Sequence, residues 1–159
     1  MLDPLLADLR RIYEGNAWHG PSVQEALQDV TTAQAAARLV PDAHTIFELT
    51  HHIGAWIGET TSRLQGNPPG SPADGDFPPR STSVDDAAWA DVLALLERRQ
   101  AELLETVSGF DADRLDDVVS PTDRKDSDGP VTYRALLSGV AQHSAYHAGQ
   151  IVLLKKLKV

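Results

Sequence analysis

Apolar residues recur at intervals of three and four positions along four long stretches of this 159-residue chain. This spacing places apolar side chains on one face of an α-helix, whereas a half-buried strand requires strict alternation. The length is close to the roughly 150 residues typical of one domain. The sequence therefore predicts an all-α fold, in which residues 1–159 form a single four-helix bundle with long interhelical connections.

The four long helices are expected at about residues 2–13, 43–65, 83–107 and 133–157. Two shorter helical pieces are expected at about residues 22–29 and 32–38. Thr132 is a suitable N-cap for the last helix, and Gly66 is a suitable end for the second long one. Residues 66–80 are rich in proline and glycine, which indicates a long surface loop. A second linker, residues 108–130, is expected to hold one helical turn near residues 111–117.

Composition excludes several classes of function. The chain has no cysteine, so disulfides, thiolate nucleophiles and cysteine-based metal sites are excluded. Its formal net charge of -9 disfavours binding to nucleic acid or to an anionic membrane surface. No apolar run approaches the roughly 18 residues of a spanning helix, and the N-terminal residues lack the pattern of a signal peptide. We therefore expect a cytoplasmic protein with no membrane partner.

Four of the six histidines form two groups, His51 with His52 and His143 with His147. At 100° per residue, His143 and His147 lie in the middle of the apolar stripe of the last helix. His52 borders the apolar face of the second long helix and His51 faces away from it. An i,i+4 histidine pair with a third histidine from a facing helix can bind one metal ion with open positions, as catalytic sites do. Ordinary hydrogen-bonded core histidines are the alternative.

Other side chains are candidates for the surroundings of such a site. Glu48, one turn before His52, could be a fourth ligand or an acceptor for an imidazole N–H, although a solvated glutamate is the simpler interpretation. Gln150 is a better candidate for a residue that holds a histidine in place. His44 and His51 are expected at the surface. Possible pocket-lining residues, each of which could instead be ordinary packing, are Trp18, His19, Trp56 and Tyr146.

Residues 46–56 and 142–151, the second containing His143-Ser144-Ala145-Tyr146-His147-Ala148-Gly149-Gln150-Ile151, resemble the DinB-like superfamily, which includes the YfiT-like metal-dependent hydrolases. The resemblance implies a four-helix bundle, frequent homodimers and one divalent cation, nickel or zinc. It places the three metal-binding histidines at His52, His143 and His147. Because His51 lies next to His52 in the sequence, the resemblance leaves open which of these two histidines is the ligand.

Two kinds of function remain for the chain. The resemblance implies a metal-dependent enzyme that acts on a small-molecule substrate, either a hydrolase that activates water or an S-transferase that uses a low-molecular-weight thiol. No residue stands out as a general base, which favours the thiol. The alternative is a non-catalytic metal-binding or interaction bundle. Residues 123–129 have the wrong spacing for a calcium loop and are interpreted as an exposed acidic turn.

Overall fold

The computed structural model describes residues 2–120 and 130–157, and the predicted acidic turn at residues 123–129 lies outside them. The described residues form no β-strand, which confirms the all-α prediction. None of their helices is both long enough and apolar enough to cross a membrane. The helices are α1 (Leu2–Glu14), α2 (Val23–Leu27), α3 (Thr32–Ala36), α4 (Ile46–Leu64), α5 (Asp86–Ser108) and α6 (Tyr133–Lys155), with a 3₁₀ turn at Ala112–Arg114.

Side-chain caps determine where the helices begin. Thr132 caps α6, as the sequence predicts, by accepting a hydrogen bond from the Ala135 N–H. The expected start of α4 near residue 43 is wrong, because a capping box at Thr45 starts the helix at Ile46. In this box Thr45 Oγ1 accepts from the Glu48 N–H, and the Glu48 carboxylate accepts from the Thr45 N–H.

The four long helices pack in a closed ring. Helix α4 contacts α5 and α6, and α1 contacts the same two helices from the opposite side. The two short helices pack against different pairs of long helices, α2 against α1 and α6, and α3 against α4 and α5. Each fully buried aliphatic side chain in the centre contributes roughly 2 kcal/mol by leaving water. These central residues include Ile53, Ile57, Leu96, Leu103, Leu137 and Ile151.

Helix α4 is held differently on its two sides. Against α5 the backbones approach so closely that a Cβ atom on Gly54 would lie 3.4 Å from the Leu96 Cα. Against α6 the helix leaves a cleft of about 570 Å³. The candidate site lies at one end of this cleft.

Candidate metal centre

Three histidine side chains converge between α4 and α6. His52 comes from α4, and His143 and His147 lie one turn apart on α6. The His143 Nε2 atom is 2.9 Å from the His52 Nε2 and 3.0 Å from the His147 Nε2. One ligand atom from each of the three lies within 4.8 Å of the other two. The structure thus brings together the three histidines that the sequence selected, and His52 rather than His51 belongs to the group.

The outward-facing nitrogens of two of these rings are held by acceptors. His52 Nδ1 lies 2.9 Å from Asp76 Oδ1 and 3.2 Å from the Asp76 carbonyl oxygen. His147 Nδ1 lies 2.6 Å from Gln150 Oε1, so Gln150 takes the place expected for it. Because these oxygens only accept, each Nδ1 carries the proton and each Nε2 presents a lone pair to the centre.

Burial keeps these two imidazoles neutral. His52 and His147 are only 7% and 8% exposed. Burial lowers the pKa of His52, and the neighbouring Asp76 only partly offsets this effect. Burial also lowers the pKa of His147, against the opposing hydrogen bond to Gln150. The neutral form that binds metal is therefore the form that the fold favours at neutral pH.

The three Nε2 atoms match the requirements of a divalent cation. His143 Nε2 carries at most one hydrogen, so it can donate to only one of the two lone pairs that face it. At least one of the two close contacts therefore has no well-directed hydrogen bond across it, and a cation bound by the nitrogens would take its place. Nitrogens bound about 2.0–2.1 Å from one ion lie roughly 2.9–3.4 Å apart at angles of about 90–109°. The two separations from His143 Nε2, 2.9 and 3.0 Å, lie in this range, so the three histidines form a group that could hold one metal ion.

Asp76 is a site residue that sequence analysis missed. Besides contacting His52, its Oδ1 accepts a hydrogen bond of 2.8 Å from the Trp56 indole N–H. The next residue, Phe77, stacks between the rings of His52 and His44, with centroid distances of 4.0 and 3.8 Å. Both residues belong to the proline-rich loop, where no periodicity indicates which side chains turn inward. The only signal in the sequence was that an acidic and an aromatic residue are adjacent in a long loop.

Glu48 contacts the imidazole of His44 and points away from the histidine group. Its buried carboxylate turns back toward the start of α4, where it pairs with Arg38, caps the Thr45 N–H and contacts His44 at 3.3 Å. The capping box fixes this direction, which leads away from His52. His44 and His51, which were expected at the surface, have intermediate exposure. The His51 Nδ1 atom is enclosed without a hydrogen-bond partner among the described residues.

Of the four residues that the sequence suggested for a pocket lining, one lies in the cleft beside the histidines. Trp56 belongs to it, whereas Trp18 is fully exposed and lies with His19 at a separate hollow against α1. Tyr146 touches the His147 ring edge-on but lines a different hollow, which α6 forms with Ile12 and His19. The described residues of the cleft are His52, Trp56, Thr60, Arg63, Asp76, Val131, Ala135, Leu136, Gly139, Val140 and His143.

Comparison with known proteins gives one match. A family model described as the DinB superfamily matches residues 17–151, which include all three histidines and most of the chain. No curated protein and no solved structure matches.

Proposed function

Since the chain belongs to the DinB superfamily, we propose that it is a metal-dependent enzyme acting on a small-molecule substrate. His52, His143 and His147 hold one divalent ion, nickel or zinc. The observation that carries this proposal is the convergence of three Nε2 atoms, two of which present lone pairs. When bound, such an ion lowers the pKa of a water or a thiol at its open position, so that a nucleophile forms at neutral pH.

The residues around the histidines orient them. Asp76 and Gln150 accept the Nδ1 protons of His52 and His147, which fixes the tautomer and the direction of each ring. Phe77 packs flat on the His52 ring and restricts its rotation. These contacts hold the three nitrogens ready for the ion, so little ordering is required when it binds.

The cleft provides the place for the substrate. Its walls beside the histidines are mostly apolar, with Trp56 on the α4 side and Leu136, Gly139 and Val140 on the α6 side. A volume of about 570 Å³ lies within the range of small-molecule pockets, roughly 300–1,000 Å³. We propose that the apolar part of the substrate lies here while its reacting atom faces the histidines.

The cleft favours a thiol over water as the nucleophile. Asp76 is the only carboxylate among the described lining residues, and its Oδ1 already accepts hydrogen bonds from His52 and Trp56. A hydrolase would need a general base within reach of the attacking water, whereas a thiol that loses its proton on coordination does not. The chain has no cysteine, so the sulfur would come from a low-molecular-weight thiol.

Turnover by the metal-loaded protein tests this proposal. The protein is incubated with cysteine and 1-chloro-2,4-dinitrobenzene for thiol transfer, and with p-nitrophenyl acetate for hydrolysis. We expect transfer above the uncatalysed rate, and His147→Ala should lose it. Hydrolysis without transfer would support the water alternative. If the loaded protein accelerates neither of these reactions nor a wider panel of thiols, electrophiles, amides and esters, the non-catalytic metal-binding or interaction bundle replaces the proposal.

We also propose that the protein acts as a homodimer. Large apolar side chains are exposed on the outer face of α6, where Tyr146 is 65% and Leu153 is 64% exposed. Tyr146 and Leu153 are seven residues apart and therefore lie on one face of α6, which we propose a second copy of the chain covers. Sedimentation equilibrium should give twice the chain mass, and Leu153→Glu should give the monomer mass. A monomeric wild-type protein would contradict this part of the proposal.

A further inference from the structure

The loop between α4 and α5 is long and tied to the helices on both sides. It runs from residue 65 to residue 85 without a helix. Loops longer than about 12–15 residues without secondary structure are uncommon and often functional. Residues 74–77 of this loop, which we term the clamp segment, reach both α5 and the histidine group.

On one side the clamp segment is bound to α5. The Asp74 carboxylate accepts hydrogen bonds from the Arg99 guanidinium, 3.0 Å from Nε and 2.6 Å from Nη2 to the same oxygen. Arg99 is oriented further by Glu102, one turn along α5, at 3.0 Å. These charge-assisted bonds connect the clamp segment to a long helix of the bundle.

On the other side the clamp segment holds the histidine group. Asp76 accepts from His52 and Trp56, and Phe77 stacks on the His52 ring. Gly75 lies between the two aspartates with a φ of +81°, a conformation that residues with a Cβ rarely adopt. This turn lets Asp74 face Arg99 while Asp76 faces His52.

Gly58 of α4 leaves room for the Arg99 side chain. A Cβ atom at residue 58 would lie 3.0 Å from Arg99 Nε and 3.1 Å from its Cδ. Both atoms are in the middle of the side chain, whose end is fixed by Asp74. A larger residue at this position would therefore displace Arg99 from Asp74.

From these contacts we propose that Arg99 is a positioning residue of the metal centre. Through Asp74 it holds the clamp segment, and the clamp segment holds His52 in the ring orientation and tautomer that bind a metal ion. This proposal rests on the proposed function in taking His52 as a metal ligand. It adds that metal affinity depends on a residue of α5, a helix that carries none of the three histidines.

The first experiment compares Arg99→Gln with Arg98→Gln, which removes the same charge from the adjacent, exposed position of α5. The affinity of each protein for Zn²⁺ is measured by competition with a chromophoric chelator. Loss of a residue that supports a ligand lowers metal affinity by about 10–100-fold, and Arg99 acts one step farther away. We expect affinity to fall about threefold to tenfold in Arg99→Gln and to stay unchanged in Arg98→Gln.

A second variant separates positioning from general destabilisation. Gly58→Ala displaces Arg99 but places a better helix former in α4. We expect its melting temperature without metal to equal or exceed that of the wild type while its Zn²⁺ affinity falls. If Arg99 had only a structural role, the melting temperature and the Zn²⁺ affinity would change in the same direction.

The state of His52 in the metal-free protein gives a readout that does not depend on metal. Long-range ¹H–¹⁵N correlation spectra report which ring nitrogen carries the proton. We expect the Nδ1–H form in the wild type and a mixture of both tautomers in Arg99→Gln. Unchanged tautomer and unchanged Zn²⁺ affinity in Arg99→Gln would overturn the inference and leave the proposed function intact. A wild type that binds no Zn²⁺ would overturn the proposed function, and the tautomer would still test the positioning role.

Discussion

The two sides of α4 differ in what their residues contribute. On the α5 side the helix is closely packed, with Gly54 against the backbone of Leu96. On the α6 side the same helix presents His52 and Trp56 to a cleft of about 570 Å³. A backbone held rigidly on one side can keep a side chain in place on the other without dense packing around it. Substitutions in the close contact between Gly54 and Leu96 should therefore change stability, and those at the cleft should change binding.

The largest expected effect is at the closed side. Gly54→Val should lower the free energy of unfolding by about 2–3 kcal/mol, because the Val γ-carbons would overlap Leu96 where a Cβ already reaches contact distance. Gly139→Val is the matched control on α6, since a Cβ at residue 139 meets no atom within 4 Å among the described residues. Its effect should stay within about 0.5 kcal/mol. Urea denaturation of the metal-free proteins measures both, and equal losses would remove the distinction between the two sides.

The next effect concerns Glu48, whose hydrogen bonds connect α4 to Arg38 near the end of α3. Burial raises the pKa of this carboxyl, but the bonds from Arg38 and the Thr45 N–H outweigh burial and hold it below the ordinary value of 4.5. Glu48→Gln should cost about 1–2 kcal/mol of stability at pH 7. Since the folded-state pKa is the lower one, the wild-type advantage should be complete above pH 4.5 and disappear as pH falls through the folded-state pKa.

Urea denaturation of both proteins between pH 3 and pH 7 would check this dependence. Zn²⁺ affinity serves as the control, because Glu48 faces away from the histidines and its substitution should leave the affinity unchanged. A difference in stability that persists undiminished at pH 3 would contradict the role given to the carboxylate.

On the α6 side of α4, substitution of Asp76 should change metal binding rather than stability. Asp76→Ala should weaken Zn²⁺ binding about tenfold, which equals about 1.4 kcal/mol, because His52 loses the nearer of the two Asp76 oxygens that fix its tautomer. The stability of the metal-free protein should change by less than about 0.5 kcal/mol, since the Asp76 side chain is largely exposed. Asp91→Ala, at an exposed position of α5, controls for the lost charge. A stability loss without a change in affinity would contradict this assignment.

The smallest effect on stability is expected in the cleft itself. Gly139→Leu should leave the unfolding free energy and the Zn²⁺ affinity nearly unchanged, because its side chain would extend into open space. In the cobalt-loaded protein, the thiolate-to-metal absorption band should report binding of thiophenol at least about tenfold weaker than in the wild type. Binding of 2-mercaptoethanol, which is too small to fill the cleft, should be unaffected. Equal thiophenol binding would show that the substrate lies elsewhere.

The helices and the histidine group were predictable from sequence because both depend on local periodicity. The spacing of apolar residues placed α4 and α6, and the same 100° rotation placed His52, His143 and His147 on facing surfaces. The expected start of α4 near residue 43 was too early, because the Thr-x-x-Glu pattern of Thr45 and Glu48 is the stronger helix-start signal. That box also explains why Glu48 turns away from the site.

The residues that support the site were not predictable in the same way. Gln150 follows His147 by three positions on one helix, so helical geometry indicated their contact. Asp76 reaches His52 through a loop whose path depends on Gly75 and on the distant Arg99. No local rule relates a loop residue to a side chain 24 positions earlier. Trp18 lies between α1 and α2, where helical periodicity does not indicate the direction of a side chain, and its ring is fully exposed.

Calorimetric titration of the metal-stripped protein with Zn²⁺ tests the central claim most directly, in the wild type, His147→Ala and His51→Ala. The account predicts one ion bound per chain in the wild type, loss of this binding in His147→Ala, and binding close to that of the wild type in His51→Ala. His51 is the matched control because it is the histidine next to His52 and lies outside the group. A wild type that binds no ion, or His147→Ala that binds as tightly as the wild type, would contradict the account.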